Sequence, residues 1–289
     1  MKKLFGKINL NWKKLIVFAI IAGIYTGIMA MIPITKNTSF EDISISFEVW
    51  ILFGILIIMN SKSAKDASLK CFIFFLISQP LVYLIQVPFS YMGWQLFGYY
   101  KYWFIWTLFT IPMGYIGYYM KKDKWWGLLI LTPGLVFLGI HYSRFLGETL
   151  FNFPYHLLSC LFCLITIIIY PIYIFKNKKV KIAGIIISIL VIIAMTVISL
   201  LNRITYNTTI LTNGGSAGAV FDSNYKVYLE DGKYGDVHIE YDEGLEDYKV
   251  VAEFKKAGKT KLIIENSEGT KTVFTIVIKR DSCDIIRKK

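Results

Sequence analysis

Five ionisable residues in otherwise apolar surroundings carry side chains suited to acid–base or phosphate chemistry: Glu48, His141, Arg144, Glu148 and His156. Histidine titrates near neutral pH and can act as a base, carboxylates can orient it, and arginine can hold a phosphate bidentately. If one helix contains His141, Arg144 and Glu148, they share a face at i, i+3 and i+7. Convergence of all five would suit an outer-leaflet lipid-modifying enzyme or lipid-binding site. The alternative is that Arg144 pairs with Glu48 or Glu148 and only fixes a loop.

These residues match no recognised catalytic or metal-binding motif. His141 and His156 are fifteen residues apart, and neither belongs to an H-E-x-x-H or H-x-x-x-H pattern. Cys160 and Cys163 form a C-x-x-C pair inside an apolar run, and the chain has no second pair to complete a thiol relay. We therefore expect no metal site, no cofactor and no catalytic residue, and favour a protein that is not an enzyme.

A second polar set lies within the apolar run FFLISQPLVYLIQVPFS. Gln79 and Gln86 are seven residues apart, so on a helix they differ by only about 20° in direction. Tyr83 and Ser90 fall on the same face, which must point toward protein or a cavity because lipid cannot solvate amides. The stripe predicts either hydrogen bonds between helices or one wall of a solute pocket.

The elements that must position these residues are membrane spans. The chain has 289 residues, 55% of them hydrophobic, and a mean hydropathy of +0.51. A helix needs about 20 apolar residues to cross a bilayer. Seven segments meet this length approximately: 15–34, 42–60, 71–90, 102–120, 125–141, 154–175 and 182–201. We therefore predict a membrane all-α bundle of about seven transmembrane helices over 1–201.

Charge sets the predicted orientation. Fifteen lysines lie before the first span and after the second, fourth and sixth, whereas the opposite loops hold only Lys36, Lys101 and Arg144. The positive-inside rule then puts the N-terminus in the cytoplasm and, after seven crossings, residues 202–289 outside the plasma membrane. The net charge of +12 is explained by these lysines facing anionic lipid, so we expect no nucleic-acid partner.

The first span carries a stripe of small residues. Ala19, Gly23 and Gly27 recur at every fourth position, a pattern that allows another helix to approach closely. The stripe predicts packing within the bundle, and a homo-oligomer through the same face is the alternative.

The segment after Arg203 is predicted to be all-β, because polar and apolar residues alternate and proline is absent. Asp231-Gly232 indicates one hairpin, and a turn around Gly269 indicates another. Tyr248, Val250, Ala252 and Phe254 share one face, and Phe274, Ile276 and Ile278 are expected to point inward. Six or seven short strands over 202–289 suit a small sandwich.

The closing segment KLIIENSEGTKTVFTIVIKR resembles the last hairpin of bacterial Ig-like domains. That resemblance implies a sandwich used for surface contact or spacing and brings no catalytic residues. The helical half resembles multi-pass membrane proteins of low-GC Gram-positive bacteria. Together these features favour a protein that displays an Ig-like module for binding an envelope component or partner. A permease for a small neutral or zwitterionic solute, and an outer-leaflet lipid-modifying enzyme, are the alternatives.

Overall fold

Contacts divide the chain into two compact units. The computed structural model describes residues 8–280 and 282–287, so Lys2, Lys3 and Lys7 of the basic N-terminal segment lie outside the described residues. The helical unit runs to Phe145 and resumes over His156–Ile198. The β unit comprises Leu146–Tyr155 and the described chain from Ser199 onward. A helical region followed by antiparallel sheets confirms the coarse fold class.

Eight α-helices account for most of residues 12–201. They are α1 Trp12–Met29, α2 Ser39–Ile45, α3 Phe47–Asn60, α4 Ala64–Gln86, α5 Tyr100–Gly117, α6 Trp125–Phe151, α7 Leu157–Ile174 and α8 Lys178–Leu201. In the part of the chain that the structure describes, five of these helices are long and apolar enough to cross a membrane: α1, α4, α6, α7 and α8. The pair α2 and α3, bent by 44°, would be a sixth span. Seven crossings stay a prediction that requires α5 as well.

The small residues of α1 pack against α4. A Cβ atom at Gly23 would lie 2.6 Å from the carbonyl oxygen of Ser78, and one at Gly27 would lie 2.9 Å from that of Val82. These approaches leave no room for a side chain, so glycine lets the two backbones meet. The stripe is therefore used within the chain, and a homo-oligomer through it would have to displace α4.

Helix α6 is longer than its predicted apolar segment. It was expected to leave the apolar region near residue 141, but the helix continues to Phe151. The spacing of His141, Arg144 and Glu148 therefore lies on continuous helix. The last turn of α6 belongs to the β unit.

Seven strands form two antiparallel sheets. The strands are β1 Tyr206–Thr212, β2 Lys226–Leu229, β3 Gly235–Asp242, β4 Asp247–Phe254, β5 Gly258–Glu265, β6 Lys271–Ile278 and β7 Cys283–Arg287. One sheet has the order β1-β4-β3, and the other has the order β2-β5-β6-β7. The β5–β6 hairpin is confirmed, and Gly269 in its turn has φ +83°. The Asp231-Gly232 hairpin is wrong, because β2 pairs with β5 and β3 pairs with β4.

Residues of both sheets contribute to one hydrophobic core. Val250, Ala252 and Phe254 of β4 are fully buried, as are Phe274 and Ile276 of β6, which confirms the predicted inward faces. Phe151 of α6 is 1% exposed and joins the same core. The domain boundary expected between residues 201 and 202 is close to Ser199, where the second segment of the β unit begins. The β unit also includes Leu146–Tyr155, which the sequence analysis did not assign to it.

Candidate functional site

Glu48 and His141 form a buried pair in the helical unit. Glu48 is in the first turn of α3, and its Oε1 lies 2.5 Å from Nδ1 of His141 on α6. The Glu48 side chain is 1% exposed and the His141 side chain 17%. Oε2 of Glu48 has no hydrogen-bond partner among the described residues. Oε1 of Glu48 and Nδ1 of His141 also lack a hydrogen bond of good geometry among the described residues, so their approach is a close contact and both carboxylate oxygens keep accepting capacity.

Aromatic rings surround the imidazole of His141. Its ring centroid lies 4.7 Å from that of Phe137, 6.1 Å from Phe47 and 6.4 Å from Phe145. Such surroundings exclude water and lower the effective dielectric constant, so a charge here depends strongly on its nearest partner. We therefore expect Glu48 and His141 to be energetically coupled.

A separate cluster joins α2 to the start of α7. Nδ1 of His156 lies 2.7 Å from Oδ2 of Asp42, and the Ser159 hydroxyl donates to the same oxygen at 2.7 Å. The backbone N–H of Ser159 donates to the Ser39 hydroxyl at 3.1 Å. The first N–H groups of a helix lack intrahelical partners, so the Ser39 side chain of α2 caps one of those of α7, while Asp42 binds two side chains of the same region.

This cluster lacks the geometry of a serine hydrolase. In a Ser-His-Asp triad the serine hydroxyl donates a hydrogen bond to Nε2 of the histidine, and the carboxylate accepts one from Nδ1. Here Ser159 donates to the carboxylate of Asp42, and Nε2 of His156 is buried with no hydrogen-bond partner among the described residues. The arrangement suits anchoring of α2 on α7 better than nucleophilic catalysis.

Replacing Asp42 by alanine should lower the free energy of unfolding of the helical unit by about 1.5–3 kcal/mol, the usual contribution of a hydrogen bond to a charged group. Both Ser159 and His156 would lose their partner. Glu41→Ala is the matched control, because in the described part of the chain the Glu41 carboxylate accepts one hydrogen bond, from the exposed backbone N–H of Asn37. Denaturant titration in detergent micelles measures both variants, and equal losses would contradict this anchoring role.

The remaining residues of the predicted outer cluster, Arg144 and Glu148, belong to neither of these two groups. Glu148 belongs to the β unit, where Nε and Nη2 of Arg280 donate to its two carboxylate oxygens at 2.5 and 2.8 Å. Arg144 is exposed and makes no ion pair with a described residue. Arg144 thus pairs with neither Glu48 nor Glu148. The predicted set divides into the Glu48–His141 pair, the Asp42–His156 cluster and the Glu148–Arg280 pair.

The glutamine stripe makes mostly local contacts. Nε2 of Gln86 donates to the carbonyl oxygen of Val82 in its own helix at 2.7 Å. Tyr83 hydrogen-bonds the indole of Trp103 on α5, and Gln79 is 3% exposed with no partner for Nε2 among the described residues. The Tyr83–Trp103 contact joins α4 to α5, and both interpretations of the stripe stay predictions.

The helical unit contains an apolar cavity of about 540 Å³. Side chains of α3, α4, α5 and α6 line it, including Phe47, Trp50, Phe75, Trp103, Trp106 and Phe137. None of the stripe residues Gln79, Tyr83 and Gln86 lines this cavity. The cavity therefore suits a hydrocarbon better than a polar solute.

The β unit contains a groove of about 510 Å³ along β2 and β3. Both strands are at the edge of their sheets. Four tyrosines line the groove: Tyr225, Tyr228, Tyr241 and Tyr248. Tyrosine offers a large rigid surface with one hydrogen-bonding end, which is why it is common where proteins bind other molecules.

Sequence reasoning missed three residues that complete these clusters: Asp42, Ser159 and Arg280. Asp42 and Ser159 follow the pattern of helix starts, and Arg280 directly follows the last predicted core strand. No local pattern indicates their partners, since these lie more than 100 residues away in the chain. No protein-family model, no curated protein and no solved structure matches this chain.

Proposed function

We propose that this chain is a multi-pass protein of the plasma membrane that displays an extracellular Ig-like β-sandwich for binding an envelope component. In this account it is not an enzyme. The observation that carries the proposal is the groove along β2 and β3 with its four tyrosines.

The proposed topology has seven crossings, with α2 and α3 together as the second and α5 as the fourth. Helix α5 has 18 residues, so it is close to the about 20 residues that span a bilayer. The helices α6 and α8 both end in the β unit. That arrangement agrees with α6 and α8 crossing in the same direction, as the distribution of lysines requires.

The proposal of a sandwich is supported by the shared core of the two sheets. Phe254 from one sheet and Phe274 from the other are both fully buried in it. Antiparallel sheets that bury one face each are the usual components of a sandwich. The Ig-like character is supported by the resemblance of the β5–β6 hairpin.

The end of α6 is built into the β unit. Phe151 inserts into its core, and the backbone N–H of Ala257 donates to the Phe151 carbonyl at 2.8 Å. The bidentate Glu148–Arg280 pair adds a second attachment to α6.

The geometry supports the two alternatives less well. A permease would need the glutamine stripe to face a pathway, but the stripe does not line the apolar cavity. An outer-leaflet enzyme of the predicted kind would need Arg144 beside Glu48 and His156, but these residues belong to separate clusters.

Tyr241→Ala should weaken binding to purified cell walls about tenfold, because truncating a central aromatic contact typically costs that much or more. Tyr241 is 54% exposed, and its ring centroid lies 5.3 Å from that of Tyr248. The measurement is co-sedimentation of the full-length protein in lipid nanodiscs with cell-wall sacculi. Tyr155→Ala is the control, since Tyr155 is 52% exposed in the same unit but does not line the groove. Equal binding by both variants, or no binding by the unmodified protein, would overturn the proposal.

A further inference from the structure

Strand β3 is the longest regular edge strand of the β unit in the part of the chain that the structure describes. β1 has a bulge between Thr209 and Leu211, β2 has four residues and β7 has five. β3 has eight residues, and its register with β4 is regular from Gly235 to Asp242. Bulges and short lengths are devices that keep an edge strand from pairing with another chain. Because β3 has neither, its outer edge can accept one more strand.

The outer edge of β3 presents backbone groups that β4 does not use. In an antiparallel pair, the N–H and C=O groups of successive residues point alternately toward and away from the partner strand. The N–H of Lys255 donates to the C=O of Tyr234, and this bond fixes the alternation along the register. Val237, Ile239 and Tyr241 therefore direct both groups away from β4, and no turn, loop or side chain among the described residues binds them.

The groove of the β unit runs along these backbone groups. Its lining includes five consecutive residues of β3, 237–241, and four consecutive residues at β2, 225–228. Successive side chains of a strand point to opposite faces, so a groove on one face would be lined by every second residue. Consecutive residues share only the edge of the strand. A molecule in the groove can therefore reach the unpaired backbone of β3.

The inner face beside this edge is apolar and aromatic. Val237 and Ile239 pack against the hydrophobic core, and Tyr241 and Tyr248 follow on the same face. All four residues line the groove. Side chains of an added strand would lie directly beside those of β3 on each face. Apolar side chains therefore suit the inner face of the ligand.

The outer face of β3 carries an excess of carboxylates. Asp236, Glu240 and Asp242 lie there at alternate positions. Lys255 pairs with Asp236, and Lys249 pairs with both of the others. Three carboxylates and two ammonium groups leave a net negative charge. Because opposite charges on neighbouring strands attract, basic side chains suit the outer face of the ligand.

We propose that the outer edge of β3 binds an extended peptide segment of an envelope protein, in which apolar and basic residues alternate. The segment pairs antiparallel to β3, as the strands of both sheets pair with one another. Its apolar residues exchange backbone hydrogen bonds with Val237, Ile239 and Tyr241, and its basic residues lie beside the carboxylates. This inference rests on the proposed function and names the ligand of the same groove.

Methylated peptides test the backbone pairing without changing the protein. Full-length protein in phosphatidylcholine nanodiscs is titrated into fluorescein-KVKVKVK-amide, and binding is followed by fluorescence anisotropy. N-methylation of the three valines should weaken binding at least about tenfold, because it removes the N–H groups that face β3. N-methylation of three lysines is the control and should change binding less than about twofold, since those N–H groups point away. Equal binding of the two methylated peptides, or a larger loss for the lysine set, would overturn the pairing.

A proline in β3 tests the same edge from the side of the protein. Ile239→Pro removes an N–H that points away from β4, so it should weaken binding of the peptide at least about tenfold while the β3–β4 bonds remain. Ile285→Pro is the matched control. The bond from the N–H of Lys279 to the C=O of Ser282 fixes the alternation in β7, so the N–H of Ile285 also points outward, but on another edge. Similar thermal midpoints with unequal peptide binding are expected, and equal binding by the two variants would overturn the site. The methylated peptides decide the matter if a variant does not fold.

The charge of the ligand and its source are tested separately. Fluorescein-EVEVEVE-amide should bind about tenfold more weakly than the lysine peptide, and equal binding would overturn the basic alternation. These titrations contain no cell walls. Protein that binds walls but no peptide would keep the proposed function and overturn the peptide ligand, whereas peptide binding without wall binding would do the reverse. A dimer that Ile239→Pro dissolves, with no peptide bound, would assign the edge to a second copy of this chain and overturn the proposal.

Discussion

Replacing Phe151 by alanine should lower the free energy of unfolding of the β unit by about 3–5 kcal/mol, the usual cost of truncating a buried phenylalanine. Phe151 is 1% exposed and packs in the core that both sheets share. The substitution would leave a cavity where α6 enters the β unit. It would also remove the ring over which the Arg280 guanidinium lies, 5.9 Å from its centroid.

The control for this prediction is the nearby Phe153→Ala, because Phe153 is 66% exposed and should contribute little. Pulse proteolysis of the full-length protein across a denaturant series, with cleavage of the β unit followed by immunoblot, gives both stabilities. If both variants unfolded at the same denaturant concentration as the unmodified protein, the end of α6 would not be part of the core.

The second large effect concerns the helical unit. His141→Leu should destabilise it by about 3–5 kcal/mol, because it removes the imidazole that faces the Glu48 carboxylate and leaves that buried group without its nearest polar partner. Glu48, with 1% of its side chain exposed, would then have to take up a proton or remain charged in apolar surroundings. The double variant Glu48→Gln/His141→Leu also removes the ionisable carboxyl group, so it should recover much of the stability lost in His141→Leu.

A double-mutant cycle in detergent micelles measures this coupling. Denaturant midpoints of the unmodified protein, Glu48→Gln, His141→Leu and the double variant are sufficient. A double variant that is as unstable as the sum of the two single variants would show that Glu48 and His141 do not stabilise each other.

Local patterns predicted the secondary structure well and the partners of side chains poorly. The lengths of the apolar segments predicted the helices, and the alternation of polar and apolar residues predicted most strands. Each pattern depends on whether a face of the element meets water or an apolar environment. The Glu48–His141 contact joins α3 to α6 across 93 positions of the chain, and no periodicity encodes which helices are neighbours. The same holds for Glu148 and Arg280, which are 132 positions apart.

The Asp231-Gly232 error has a similar cause. The dipeptide is typical of a tight hairpin turn, and here it begins a short 3₁₀ helix, Gly232–Tyr234. Strand pairing is decided by burial across the whole unit, and that places β2 beside β5 and β3 beside β4. A turn signal therefore located the end of a strand correctly while giving the wrong partner.

Thiol labelling can determine the side of the membrane on which each segment lies. Cys71, Cys160 and Cys163 are buried in helices, and burial raises the pKa of the Cys283 thiol to about 11, so it should react slowly at neutral pH. With Cys283 replaced by serine, a single exposed cysteine can therefore be introduced without a large background.

The most direct test of the display account compares Ser267→Cys, in the β5–β6 turn, with Lys124→Cys, between α5 and α6. Both positions are exposed. In intact cells treated with a membrane-impermeant maleimide, Ser267→Cys should be labelled, whereas Lys124→Cys should be labelled only after permeabilisation. That result requires an odd number of crossings between the two positions, as α6, α7 and α8 would provide. Protection of Ser267→Cys until the membrane is opened would contradict an extracellular β unit and with it the proposed function. Labelling of Lys124→Cys in intact cells would contradict the proposed topology.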